Sequence, residues 1–172
     1  MNFRQAIAAD LPSILEIHND AVRNLSAIWT TKLDTLEDRL AWLEERTVKG
    51  FPILIADDDE GNILGFGSYG TFRGKSGYDL TVEHSVYLKE TAQGKGIGRA
   101  LMQQLIQHAQ SAGFHVMIGA IESGNTHSIA LHEKLGFEIV GTLPEVGHKY
   151  GRWLSLCLMT LKLSDAKAPP HP

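Results

Sequence analysis

An α/β domain built on one mixed sheet, with its antiparallel strands set apart in the α+β manner, is what these 172 residues imply. Size and composition come first. With 43% hydrophobic and 21% charged residues, the chain suits one globular unit that can bury a sizeable core. The strand and helix signals then run β-α-α-β-β-β-α-β-α-β-β, with three antiparallel strands ahead of a single strand–glycine–helix–strand unit. Only that unit calls for a parallel crossover, so the sheet is mixed and not doubly wound.

After a short first strand, Asp10 is placed to cap a helix that tolerates Pro12 in its first turn. Leu11, Ile14, Leu15, His18, Ala21 and Val22 recur along it at helical spacing. Thr35 and Asp38 have the spacing of a capping box, and Leu36, Leu40 and Leu43 run down the second helix to a stop at Gly50. Strands are expected over 51–56, 63–72 and 79–88, the first two joined by an acidic turn. The glycine cluster opens a helix carrying Ile97, Leu101, Leu105, Ile106 and Ala109, closed by Gly113. A strand over 114–121, a helix capped by Asn125 and ended by Gly136, and strands near 137–143 and 153–163 complete residues 1–165 as one domain. The tail 166–172 holds three of the six prolines and reads as frayed.

Charge and cysteine usage exclude several classes. A net charge of −4 lacks the basic field of a nucleic-acid or membrane-surface binder. One cysteine, Cys157, forms no internal disulfide, and in an apolar strand it reads as a buried small hydrophobe. The first ten residues hold no signal-like apolar run, and no stretch is long enough to span a membrane. A cytoplasmic protein with neither nucleic-acid nor membrane partners is the expectation. His127 and His132 do not share a helix face, and no metal-ligand spacing occurs, so no metal is expected.

The cluster Gln93, Gly94, Lys95, Gly96, Ile97, Gly98, Arg99 carries the chemistry. Glycines let the backbone approach a ligand, and the free N–H groups of a helix start favour an anion such as phosphate. A plain glycine-rich turn is the competing reading. A P-loop spacing is missing, and a dinucleotide fingerprint would need glycine where Arg99 stands. What fits is Gln-x-x-Gly-x-Gly, from Gln93, Gly96 and Gly98. On those residues and the element order, the chain resembles the GCN5-related N-acetyltransferases (GNAT) over nearly its whole length. The resemblance implies the GNAT fold and acetyl-CoA as co-substrate, its pyrophosphate gripped by this loop.

The run from Asn125 through His132 to Phe137 resembles the family's second signature. There an Asn caps a helix beside the pantetheine arm and a proton donor sits near the sulfur; here the donor position is His132. Both residues have plainer readings, a simple cap and a half-buried helix histidine. The run from Thr81 through Glu83, His84 and Ser85 to Leu88 is similar to the phosphinothricin and methionine sulfone/sulfoximine N-acetyltransferases. Ser68-Tyr69-Gly70 with Arg73, residues 120–125 and residues 147–153 match the same subgroup.

The resemblance implies that Arg73, Gly74, Lys75, Glu83, His84 and Ser85 bind the acceptor. It implies that Val86, Tyr87, Leu88, residues 94–99 and Asn125 contact acetyl-CoA. A carboxylate amid β-branched residues is costly unless hydrated, paired or used, so Glu83 is either an exposed strand carboxylate or the base that deprotonates the attacking amine. Arg73 either grips an acceptor carboxylate or is a solvated loop arginine. Trp29 and Phe72 wall the acceptor pocket or belong to the core. The implied enzyme is an acyltransferase and homodimer that acetylates a small amino-acid-like molecule in a ternary complex, an activity of herbicide and antibiotic resistance. Acetylation of a protein N-terminus or an aminoglycoside, a non-catalytic acyl-CoA-binding module, and a nicotinamide-dinucleotide domain are the other readings.

Overall fold

The computed structural model describes residues 1–169, so the end of the expected frayed tail, 170–172, lies outside the described residues. The elements are β1 (Asn2–Gln5), α1 (Leu11–Asn24), α2 (Leu36–Val48), β2 (Ile53–Asp57), β3 (Ile63–Thr71) and β4 (Thr81–Leu88). They continue as α3 (Ile97–Ser111), β5 (Val116–Glu122), α4 (Thr126–Lys134), β6 (Glu138–Lys149) and β7 (Arg152–Lys162). The order is the expected β-α-α-β-β-β-α-β-α-β-β. All seven strands form one sheet, β1-β2-β3-β4-β5-β7-β6, in which β4 and β5 are parallel and every other pair is antiparallel.

Side-chain alternation along β4 divides the core between the two faces. Val82 packs with Met102, Leu105 and Ala109 of α3 and with Met117 and Met159 of the sheet. On the other face Ile14 and Ile17 of α1 pack with Ile53, Ile55 and Phe66, against which Trp42 and Tyr87 also rest. Glu83, Ser85 and Tyr87 belong to this second face, and the Tyr87 ring stands edge-on to His18 of α1.

Three local expectations are corrected. Asp10 precedes α1, but its carboxylate does not cap that helix; it accepts from Ile7 N–H and takes Arg4 bidentately at 2.7 and 2.8 Å. An ion pair with a guanidinium outcompetes a single cap bond. Of the α2 leucines only Leu43 packs inward: Leu36 and Leu40 are exposed, and Arg39, Trp42 and Arg46 share the inner face with it. Leu spacing alone cannot distinguish the two faces when the inward one is aromatic and cationic. The sixth strand extends far past 143 to Lys149, with register shifts near Gly141 and before Gly147. It is an edge strand, where Pro144 and bulges are tolerated. The Thr35–Asp38 capping box forms as expected.

Candidate active site

The parallel pair at the centre of the sheet is short. Thr81, Val82 and Glu83 pair with Val116, Met117 and Ile118, and there the ladder ends. β3 stays on β4 as far as Leu88, and β7 stays on β5 as far as Glu122, so the two central strands part from His84 onward. The edge of β4 over residues 84–88 therefore has no strand partner, and its backbone groups face a cleft. Glu83 stands at the apex, cross-strand from Gly70. It is half-buried, and burial pushes its carboxyl above the usual carboxylate range.

The opposite side of β4 holds a histidine pair. His84 and His132 stack at 5.0 Å between ring centroids, with their Nε2 atoms 3.0 Å apart. His132 Nδ1 lies 2.7 Å from the Ser128 carbonyl, a contact that requires N–H. In neutral rings His132 Nε2 is then the acceptor, His84 Nε2–H the donor, and His84 Nδ1 a buried lone pair without a partner among the described residues. Burial lowers both imidazoles, His84 to about 3. Gly119 on β5 admits the pair, because a Cβ there would come within 3.2 Å of His132 and 3.3 Å of His84.

At the open end of the cleft, Gly94 and Gly96 have φ of +73° and +79°, and Gly96 caps α3. Both are glycine for backbone hand. Gly98 has no positive φ; a Cβ there would only touch Leu88 at 3.4 Å, so its missing side chain leaves room for close approach. The first N–H groups of α3 point out of the helix with no intrahelical acceptor, and Lys95 and Arg99 are exposed beside them. Asn125 ends the β5 side, its Oδ1 accepting from Ser128 N–H at 3.0 Å. Free strand edge, unstrained glycines and an anion-favouring helix start fit an acyl thioester carrying a pyrophosphate.

Arg73, Gly74 and Lys75 lie beyond the other end of β4. With Lys49, Phe51, Thr71 and Phe114 they line a pocket of about 480 Å³ that Glu83, His84 and Ser85 do not line. The Arg73 guanidinium sits over Phe72 and Tyr78, 5.4 and 5.8 Å from their centroids, and no carboxylate within 4 Å pairs with it among the described residues. Phe72 thus belongs with the Arg73 loop, whereas Trp29 lies against the β6–β7 hairpin in a second pocket of about 460 Å³.

Two side chains in this region were missed. Arg46 lays its guanidinium on Gly70, the residue opposite Glu83; a Cβ at Gly70 would fall 2.6 Å from it. Burial lowers Arg46, and its Nε finds no acceptor among the described residues. The signal was Gly70 itself, a glycine inside a strand where another group approaches. Lys149 is 2% exposed with its ammonium on backbone carbonyls; nothing in its strand-like context distinguished it. Among the described residues no group of three or more His, Cys, Asp or Glu side chains gathers for a metal, and no helix is long and apolar enough to cross a membrane.

Known proteins are similar in sequence and fold. A profile of the acetyltransferase (GNAT) family matches residues 13–137. An L-methionine sulfoximine/L-methionine sulfone acetyltransferase of Pseudomonas aeruginosa is 50% identical over 169 residues, covering 98% of each chain. A Salmonella typhimurium protein described as an acetyltransferase, solved with its cofactor acetyl-CoA, superposes with TM-score 0.96 at 44% identity, over 99% of this chain and 98% of that one. A phosphinothricin acetyltransferase of Sinorhizobium meliloti in complex with acetyl-CoA gives TM-score 0.95 at 36% identity, over 98% and 91%. The chain therefore belongs to the acetyltransferase (GNAT) family and is an N-acetyltransferase that uses acetyl-CoA.

Proposed function

We propose that residues 1–165 form one catalytic domain that acetylates the α-amine of a small amino-acid-like acceptor, of the methionine sulfone, methionine sulfoximine or phosphinothricin type. The observation that carries this reading is Glu83, half-buried where the central strands part, with its carboxyl raised by burial. Acetyl-CoA supplies the acetyl group as a thioester. Residues 93–99 hold its pyrophosphate through glycine backbone, the α3 start and the cations Lys95 and Arg99, and Asn125 lies beside its arm. Backbone N–H groups of residues 86–88 hold the carbonyl oxygen as negative charge develops on it.

Arg73, with Gly74 and Lys75, takes the acceptor carboxylate, and the backbone of His84 and Ser85 completes the acceptor contacts. Glu83 removes the proton from the ammonium, directly or through water, and the freed amine attacks the carbonyl carbon in a ternary complex. His132 is the acid for the departing thiolate. Because burial holds it neutral at rest and its Nε2 accepts from His84, it takes up the second amine proton only when that contact opens, and passes it to the sulfur. Acetylation removes the positive charge by which an amino-acid analogue mimics its parent, the chemical basis of a resistance activity.

The reading includes a cytoplasmic enzyme, where acetyl-CoA is abundant, and a homodimer. Exposed Ile139, Val140, Leu143 and Val146 on β6 and exposed Trp153 on β7 support a second copy as partner. The deciding experiment is initial-rate acetyl-CoA turnover against methionine sulfone, methionine sulfoximine, phosphinothricin, an aminoglycoside and an N-terminal peptide. Turnover of the amino-acid analogues with intersecting initial-rate patterns is expected. Preference for the peptide or aminoglycoside, or parallel patterns, would overturn it.

A further inference from the structure

We propose that Lys149 is a positioning residue that locks the connection between α1 and α2, residues 25–35, as a fixed wall of the acceptor side. Its Nζ donates to the carbonyls of Val22, Leu25 and Ile28 at 2.7, 2.5 and 2.7 Å. Three donors meet three acceptors, so the ammonium is fully satisfied without a carboxylate. The next residue adds to the clamp: Tyr150 Oη donates to the carbonyls of Val22 and Arg23.

The acceptors explain why a cation belongs there. α1 ends in Leu25 with extended backbone and no glycine cap, so its last carbonyls lack intrahelical partners. The negative end of the helix dipole also faces the ammonium. A two-residue hairpin turn, with φ of +52° at Tyr150 and +70° at Gly151, links Lys149 to Arg152 and fixes the direction of the donor. The loop is gripped again one turn along. Trp29 lies on Gly147, where any Cβ would overlap its ring, and its Nε1–H donates to Ser26 at 2.8 Å.

This loop continues from the helix that covers the Glu83, Ser85 and Tyr87 face of β4. It also reaches the end of β5, where Ser26 Oγ lies 3.5 Å from Glu122. Held there, it borders the end of β5, beyond the point where the central strands part. The inference rests on the reading that the acceptor enters on the Glu83 face. A preformed wall spares the acceptor the cost of ordering the loop on binding, so its loss is read in acceptor affinity.

The test uses the full chain with Lys149→Met and, as a milder change at an exposed residue, Tyr150→Phe. Amide hydrogen exchange within residues 25–35 is expected to quicken while α3 and the central strands keep their protection. The acceptor KM is expected to rise about tenfold for Lys149→Met and less for Tyr150→Phe, with kcat and the acetyl-CoA KM within about twofold. Unchanged exchange in 25–35, or equal loss for both substrates, would overturn the clamp. If Lys149→Met fails to fold, Tyr150→Phe decides by the same two readouts. Exchange needs no acceptor, so a wild-type chain inactive on every amino-acid analogue would sink the acceptor reading while exchange still judged the clamp.

Discussion

His84 donates through Nε2 to Nε2 of His132, and neither ring can gain a proton without loss. A proton on His132 would set two N–H groups against each other. One on His84 would land on Nδ1, which has no acceptor among the described residues. In the unfolded chain these histidines titrate near 6.5, and in the fold burial lowers both, His84 to about 3. Below 6.5 the unfolded state therefore binds more protons, and stability that is complete above 6.5 falls as pH drops towards 3. The slope approaches about 1.4 kcal/mol per pH unit for each histidine. Desolvation also lowers His18, half-buried, and His108, exposed, and both add in the same direction. His132→Phe keeps a ring in the stack, so urea midpoints between pH 7 and pH 5 should fall less steeply in the variant; an unchanged slope would contradict the pair.

As the proposed base, Glu83 would make activity and stability oppose each other. Its raised carboxyl is disfavoured as an anion in the fold, so stability is lost as pH rises through a window above 4.5, while the base becomes active over that same window. Glu83→Gln should lower kcat/KM by about 10²- to 10⁴-fold and flatten the acidic limb of the pH profile. The same substitution should raise Tm by about 2 °C at pH 7. Full activity across the profile would refute the base.

Gly96 and Gly98 should respond differently to alanine. At φ +79° a Cβ on Gly96 meets no atom within 4 Å, so the cost is backbone strain, about 1–2 kcal/mol. If the loop relaxes instead, the α3 N–H groups lose their aim and acetyl-CoA binding weakens. Gly98→Ala carries no such strain, and its effect should appear in coenzyme affinity with Tm nearly unchanged. Calorimetric titration with CoA beside thermal melts separates the two. Equal Tm losses would show that both glycines serve the turn.

The element order, the parallel crossover and the glycine loop were legible because each rests on local chemistry: alternation in Thr81–Leu88, positive φ at Gly94 and Gly96, and the Asn125 cap. The site's other half was not. Lys149 acts on carbonyls at least 121 positions away, and Arg46 acts by lying on Gly70. Such partners depend on how helices settle on the sheet, which spacing does not encode. Leu36 and Leu40 misled for the same reason, since α2 turns a Trp and two arginines inward. His132 was placed on its helix correctly, but its partner His84 lies on a strand 48 positions earlier.

In the proposed function, the choice of acceptor turns on Arg73. Its guanidinium is exposed, held over two aromatic rings and free of any carboxylate among the described residues, so it is preoriented without being neutralised. An amino-acid carboxylate would gain a charge-assisted bidentate bond worth about 1.5–3 kcal/mol, the exposed setting keeping it well below a buried pair. Arg73→Ala should therefore raise KM for methionine sulfone by about 10- to 150-fold, with the KM for acetyl-CoA unchanged. Arg73→Lys keeps the charge but loses the planar fork, so it should recover only part of that loss. An acceptor amide, lacking the carboxylate, should bind wild type and Arg73→Ala alike. If the amide discriminates between the two proteins as strongly as the acid does, Arg73 shapes the pocket through Phe72 and Tyr78 and does not bind the carboxylate.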